Sequence, residues 1–277
     1  MSKKTIVWTA IIVMVVAGLA PAQQVSDIGI DVGATYVSRY IWRGFDTYGN
    51  NHSAIQPYAD FTFGDSGFRG QVWWSRANGS RFENKEEIDY TLAYGKSMNE
   101  GESTQTDWEV GWIYYNFPDG PTRHSPTADL DYQEMFLSMV WPNICPAGVV
   151  PSYTIAKLWC SESGRRTDNG YAWSDFRQSG GWMHIFGLAY DQKIPDCLTN
   201  NPERTLHWSV ETIFNASAGG GRDVDHDWSH ALFGVSTPFD VMGGVINAFA
   251  QYQSSWDDSV NTSDEYVFGL DGVWKVQ

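Results

Sequence analysis

Residues Ile28–Phe45 read IGIDVGATYVSRYIWRGF, and the alternation in this stretch decides the fold. Ile28, Ile30, Val32, Ala34 and Tyr36 fall on one side. Gly29, Asp31, Gly33, Thr35 and later Arg39 and Arg43 fall on the other, because successive side chains of a pleated strand point to opposite faces. One face is apolar and the other polar, over a run longer than the usual five or six or so residues of a soluble strand. A strand of this kind suits an oblique crossing of a bilayer.

Eleven further segments repeat the two-residue period: Ala54–Gly64, Phe68–Ala77, Glu87–Lys96, Thr106–Phe117, Asp131–Trp141, Val150–Trp159, Gly181–Tyr190, Arg204–Asn215, Trp228–Phe239, Gly243–Gln253 and Glu265–Gln277. Val150–Trp159 alternates too poorly for its faces to be assigned, and His184 interrupts an apolar side. No segment carries a sustained 3.6-residue apolar stripe, so helix is nearly absent beyond the N-terminus. Connections alternate between long, polar stretches and short turns such as Gly64-Asp65-Ser66-Gly67. The expected fold is therefore all-β, a transmembrane antiparallel up-and-down β-barrel of about twelve strands with both termini in the periplasm. A soluble β-sandwich would pack Val, Ile and Leu inward on shorter strands, whereas here Trp and Tyr recur near strand ends, where bilayer headgroups would lie.

The N-terminus fits export. Lys3 and Lys4, the apolar run Ile6–Ala17 and Ala20-Pro21-Ala22 form a secretory signal pattern, with cleavage expected after Ala22 and residues 23–277 left as the barrel. Losing two lysines with the leader takes the net charge from −15 to −17, which argues against nucleic acid as a partner. Aromatic residues make up 15% of the chain, so its acidity does not signal disorder. Cys145, Cys160 and Cys197 are an odd set, and no metal-binding CxxC spacing is present.

Ser38-Arg39-Tyr40-Ile41-Trp42-Arg43-Gly44 resembles the TorF-type family of Gram-negative outer-membrane porins. The likeness continues through Gln56-Pro57-Tyr58-Ala59-Asp60, Ser66-Gly67-Phe68 with Trp74-Ser75, and Glu87-Ile88-Asp89-Tyr90 followed by Ala93-Tyr94. It is concentrated between residues 30 and 95. The resemblance implies a porin and supplies neither a substrate nor catalytic residues. Outer-membrane barrels commonly finish on an aromatic residue read by the barrel assembly machinery. This chain instead finishes Val273-Trp274-Lys275-Val276-Gln277, which is read as a divergent form of that signal.

If the apolar faces touch outer-membrane lipid, the polar faces line a lumen. Its candidate ionisable residues are Asp31, Asp60, Asp89, Glu109, Glu134 and Glu211 with Arg39, Arg43, Arg69 and Lys275. As a pore they would select small polar solutes or ions, with the three arginines forming a basic ladder on neighbouring early strands. As structure they would pair with one another, and a loop around Ser161–Gly180 carrying Arg165, Arg166 and Trp173 could plug the bore. About eight strands fill their own interior and about sixteen leave a channel, so twelve leaves this question open.

Passive diffusion through a porin-like channel is the expected function, with no cofactor, metal or catalytic residue assigned. A non-conducting barrel acting through its loops is the alternative, and an outer-membrane hydrolase using His207 and Ser209 the second. No GxSxG motif supports the hydrolase. Asp223, Asp225, His226, Asp227 and His230 form a loop cluster that could attract a divalent cation, although such clusters are usually only solvated. Counting strands from a periplasmic N-terminus puts Cys145 and Cys197 in successive periplasmic connections, so a Cys145–Cys197 disulfide is expected.

Overall fold

A computed structural model describes residues 28–49, 52–79, 86–118, 131–161, 180–196, 203–219 and 224–276. The alternating segments become twelve wall strands: β1 (Ile28–Val37), β4 (Ala54–Phe63), β5 (Phe68–Ala77), β6 (Glu87–Met98), β7 (Thr106–Asn116), β8 (Tyr132–Val140), β9 (Val149–Cys160), β10 (Trp182–Pro195), β11 (Glu203–Ala216), β12 (His226–Val241), β13 (Gly244–Ser255) and β14 (Glu265–Lys275). Two short strands, β2 (Ile41–Trp42) and β3 (Phe45–Asp46), pair only with each other. Each wall strand pairs antiparallel with its neighbour in sequence, and β1 closes the ring against β14. Closure satisfies the backbone groups of every wall strand and leaves no open edge.

Ile28 and Lys275 lie at one end of the barrel, here the terminal rim. Its connections include the tight turns at Gly64–Gly67 and Met242-Gly243. Met242 and Gly243, the two residues between β12 and β13, both have positive φ, as a two-residue hairpin turn requires. The opposite, loop rim carries the long connections, including 38–53 and 256–264.

Outward positions are apolar and exposed, among them Val32, Val72, Leu92, Val110, Leu137, Leu188, Phe233 and Leu270. A closed wall with a continuous apolar exterior is stable only in hydrocarbon. Outward aromatics gather near both rims. Phe68, Tyr94 and Trp108 touch in series near the terminal rim, while Phe214 packs on Trp228 and Tyr252 on Tyr266 near the loop rim. These two girdles mark headgroup levels and make the chain a transmembrane β-barrel. Among the described residues no helix is long and apolar enough to cross a membrane.

The structure corrects the reading of three stretches. The first strand ends at Val37 rather than Phe45, because the chain turns inward at Ser38, whose amide donates to Phe268 at 2.8 Å. The poorly alternating Val150–Trp159 acquires faces from its register: Ser138 opposite Thr154 and Phe136 opposite Ala156 place the even-numbered residues inside. His184 does face outward, and there it shares a 2.8 Å hydrogen bond with the Tyr153 hydroxyl, which satisfies an imidazole nitrogen on the lipid side. Residues 1–27, with the expected leader, and 162–179, with the expected plugging loop, lie outside the described residues.

Candidate functional site

The bore has two unlike halves. In the loop half, residues 38–49 fold into the barrel as a hairpin, with β2 and β3 as its arms and Arg43-Gly44 at its tip. Tyr40, Phe45 and Tyr48 are buried there against strands from most of the wall, including Ala54, Ala77, Tyr115, Leu158, Met183 and Ile213. Trp42 contacts Tyr115 and Tyr132 edge-on, and those two rings stack at 4.3 Å. The sequence drives this locally: four aromatics within nine residues cannot all face water, and the wall already offers its own outward surface to lipid.

Charge fixes the hairpin where apolar packing would only tolerate it. The Arg43 guanidinium donates to Glu134 of β8 at 2.6 Å and contacts the Met183 sulfur of β10 at 3.5 Å. Glu134 is fully buried and also accepts from the Tyr115 hydroxyl at 2.9 Å. Burial alone would favour a neutral Arg43, but the Glu134 carboxylate outweighs it and holds the guanidinium pKa above its ordinary value. Asp89 of β6 and Glu211 of β11 also feel the Arg43 charge. Burial raises the Tyr40 phenol, and the Glu87 and Asp89 carboxylates raise it further. Across the hairpin, Arg39 pairs with Glu265 of β14.

Gly44 is required at the tip. Its φ is +96°, and a Cβ there would come within 2.6 Å of the His230 ring. The Gly44 carbonyl accepts from the Gln253 amide at 2.9 Å and the Asn261 amide at 3.2 Å.

In the terminal half, a cavity of about 710 Å³ spans the bore. Thr35, Tyr58, Asp60, Gln71 and Trp73 line one side, and Asp191, His207 and Ser209 line the other; Asn247, Phe249 and Asp271 lie between. Its described lining holds three aspartates and one histidine but no lysine or arginine. Asp271 accepts from Thr35 at 2.7 Å and Tyr58 at 3.2 Å, Asp60 from Gln71 at 2.9 Å, and Asp191 from His207 at 2.6 Å. The carboxylates are thus oriented by neutral groups for the most part, and their negative charge is left facing the cavity.

The ten ionisable candidates divide between these halves. Arg43, Glu134, Asp89 and Glu211 surround the hairpin tip, and Arg39 lies on its flank. Asp31 and Asp60 are cross-strand neighbours in the terminal half, and Lys275 stands beside Asp31 at the exposed rim. Arg69 and Glu109 form a bidentate pair, with one bond of 2.6 Å. The basic ladder is not formed, because Arg39 and Arg43 leave the wall with the hairpin while Arg69 points into the opposite half; each has its own carboxylate.

The loop cluster does not converge. His226 packs outward on Phe214, His230 is buried against the hairpin, and Asp223 lies outside the described residues. No group of metal-binding residues is present among the described residues. His207 and Ser209 share the lumen face, but His207 bonds to Asp191, and the Ser209 hydroxyl sits over Gly234. Cys145 makes no disulfide among the described residues, and its expected partner Cys197 lies outside them. Asp191 and Asp271 were not singled out in the sequence. Asp271 sits in plain alternation on the last strand, whereas Asp191 required β10 to be continued past Tyr190.

Residues 21–174, more than half of the chain, match the model of a bacterial protein family of unknown function, Gcw_chp. The chain belongs to this family. The Gcw_chp match takes in the hairpin and β1 to β9. No curated protein matches the chain. Among solved structures, an outer membrane channel from Pseudomonas putida F1 is similar at 10% identity, with 93% of this chain and 99% of that one covered and a TM-score of 0.48. The β domain of a Bordetella autotransporter is similar at 13% identity, covering 89% and 98%, with a TM-score of 0.46.

Proposed function

We propose that this member of Gcw_chp is an outer-membrane porin-like channel of narrow bore, passing small polar solutes and ions with a preference for cations. The acidic cavity in the terminal half carries this reading. A barrel whose residues served only to fill it would have no reason to hold three carboxylates around open space, because unfilled polar volume stabilises nothing. The TorF-type resemblance points the same way. In this reading residues 1–22 are removed on export, the termini lie in the periplasm, and the hairpin sets the constriction. Arg43 and the acids around it would impose a transverse field on whatever passes.

Planar-bilayer recording in a potassium chloride gradient tests the proposal. The purified barrel is expected to give small conductance steps with a cation-selective reversal potential. Asp60→Asn combined with Asp271→Asn should move that potential toward zero while the steps persist. Absence of steps from the intact purified barrel would overturn it. A second reading, a non-conducting barrel that works through its loops, is favoured by the burial of the hairpin across the loop half; it predicts steps only after the hairpin is removed.

A further inference from the structure

On the outer wall, β8 to β11 combine an apolar groove with a lysine that has no anionic partner among the described residues. Trp141, Pro151, Tyr153, Phe186, Leu188 and Val210 enclose an apolar groove of about 630 Å³. Toward the loop rim on the same face, Lys157 lies over the Trp182 ring, 5.2 Å from its centroid. A lysine on a lipid-facing strand is costly at the bilayer centre and tolerated toward headgroup level, where its ammonium can reach an anion. The other outward strand cations among the described residues have a partner: Arg76 pairs with Glu86 at 3.3 Å, Lys96 with the Asp65 carbonyl at 2.8 Å, and Arg204 with Asp196 at 2.9 Å. Lys157 has only an aromatic face, which positions a cation without neutralising it.

We propose that this wall binds one molecule of lipid A, the phosphorylated anchor of lipopolysaccharide, with an acyl chain in the groove and a phosphate at Lys157. The dimensions agree. From Lys157 to Pro151 is six residues of β9, roughly 20 Å at about 3.3 Å per residue. At a strand tilt of about 45° this is roughly 14 Å of depth, close to half of an approximately 30 Å hydrocarbon core. A phosphate at headgroup level would therefore sit at Lys157 while its chain runs along β9 into the groove, a distance about the length of one acyl chain away. Lipid A is the occupant because the loop rim faces outward in the orientation proposed above. The inference rests on that orientation and is independent of conduction.

The test is native mass spectrometry of the detergent-purified full chain titrated with lipid A, with far-UV circular dichroism to confirm folding of each variant. The wild-type barrel is expected to retain one lipid A, and Lys157→Arg to behave alike. Lys157→Gln should weaken retention roughly tenfold, the scale of one charge-assisted contact. Leu188→Trp, which fills the groove and leaves the charge, should weaken it as well. Equal retention of dephosphorylated lipid A, retention unchanged in Lys157→Gln, or no lipid retained by wild type would overturn the proposal. None of these variants touches the lumen, so bilayer conductance should stay the same throughout.

Discussion

Replacing residues 38–53 by a two-residue turn is expected to raise single-channel conductance several-fold while the barrel stays folded. Val37 and Ala54 are direct cross-strand partners, so a hairpin turn of two residues joins β1 to β4 without disturbing a single wall pairing. The deletion removes Tyr40, Trp42, Phe45 and Tyr48 from the bore. It leaves Glu134 and Glu265 without their arginines, but in a lumen that fills with water, where a carboxylate is readily solvated. Stability should fall only by the packing lost, because closure of the wall depends on the twelve-strand ladder. Planar-bilayer current measures the outcome. An unchanged conductance from a folded, shortened barrel would mean that the narrowest point lies elsewhere.

Arg43→Met should lower stability by about 3–5 kcal/mol, since it strands the buried Glu134 carboxylate without its counter-charge. Glu134→Leu in the same chain should recover most of that loss, because a buried pair replaced together by apolar side chains costs little. Recovery should stop short of complete. The Tyr115 hydroxyl then loses its acceptor, at a cost of about 1–3 kcal/mol. Urea unfolding in detergent micelles gives all three values, and a single variant as stable as the wild type would show that the guanidinium does not anchor the tip.

Much of the wall was legible in the sequence because a membrane barrel writes its faces in a period of two, and lipid enforces one of them. Val32, Leu92 and Leu270 alternate with polar residues along strands whose neighbours do the same. Val149–Cys160 was illegible for the same reason in reverse: Ala156 and Leu158 face a packed lumen, so both sides of that strand are apolar. The hairpin was hidden by its own alternation. Ser38 to Phe45 continues the pattern of β1 closely enough to look like more strand, and only the Arg43-Gly44 pair carries a turn signal. Its anchors lie far off in sequence, as do the two sides of the acidic cavity, and no local pattern brings Asp60 of β4 toward His207 of β11. The paired state of the arginines depends on the hairpin, so it too became visible only with the fold.

The hairpin's anchors also set an order of events. Arg43 is 91 residues from Glu134, and Arg39 pairs with a glutamate on the final strand. Contacts so distant along the chain form late, after the loops between them have closed. The hairpin emerges near the start of synthesis, yet its Arg39–Glu265 pair cannot form until the last strand is in place. Closing the wall therefore also completes the anchoring of the hairpin: the last strand to be made supplies the partner of the first loop.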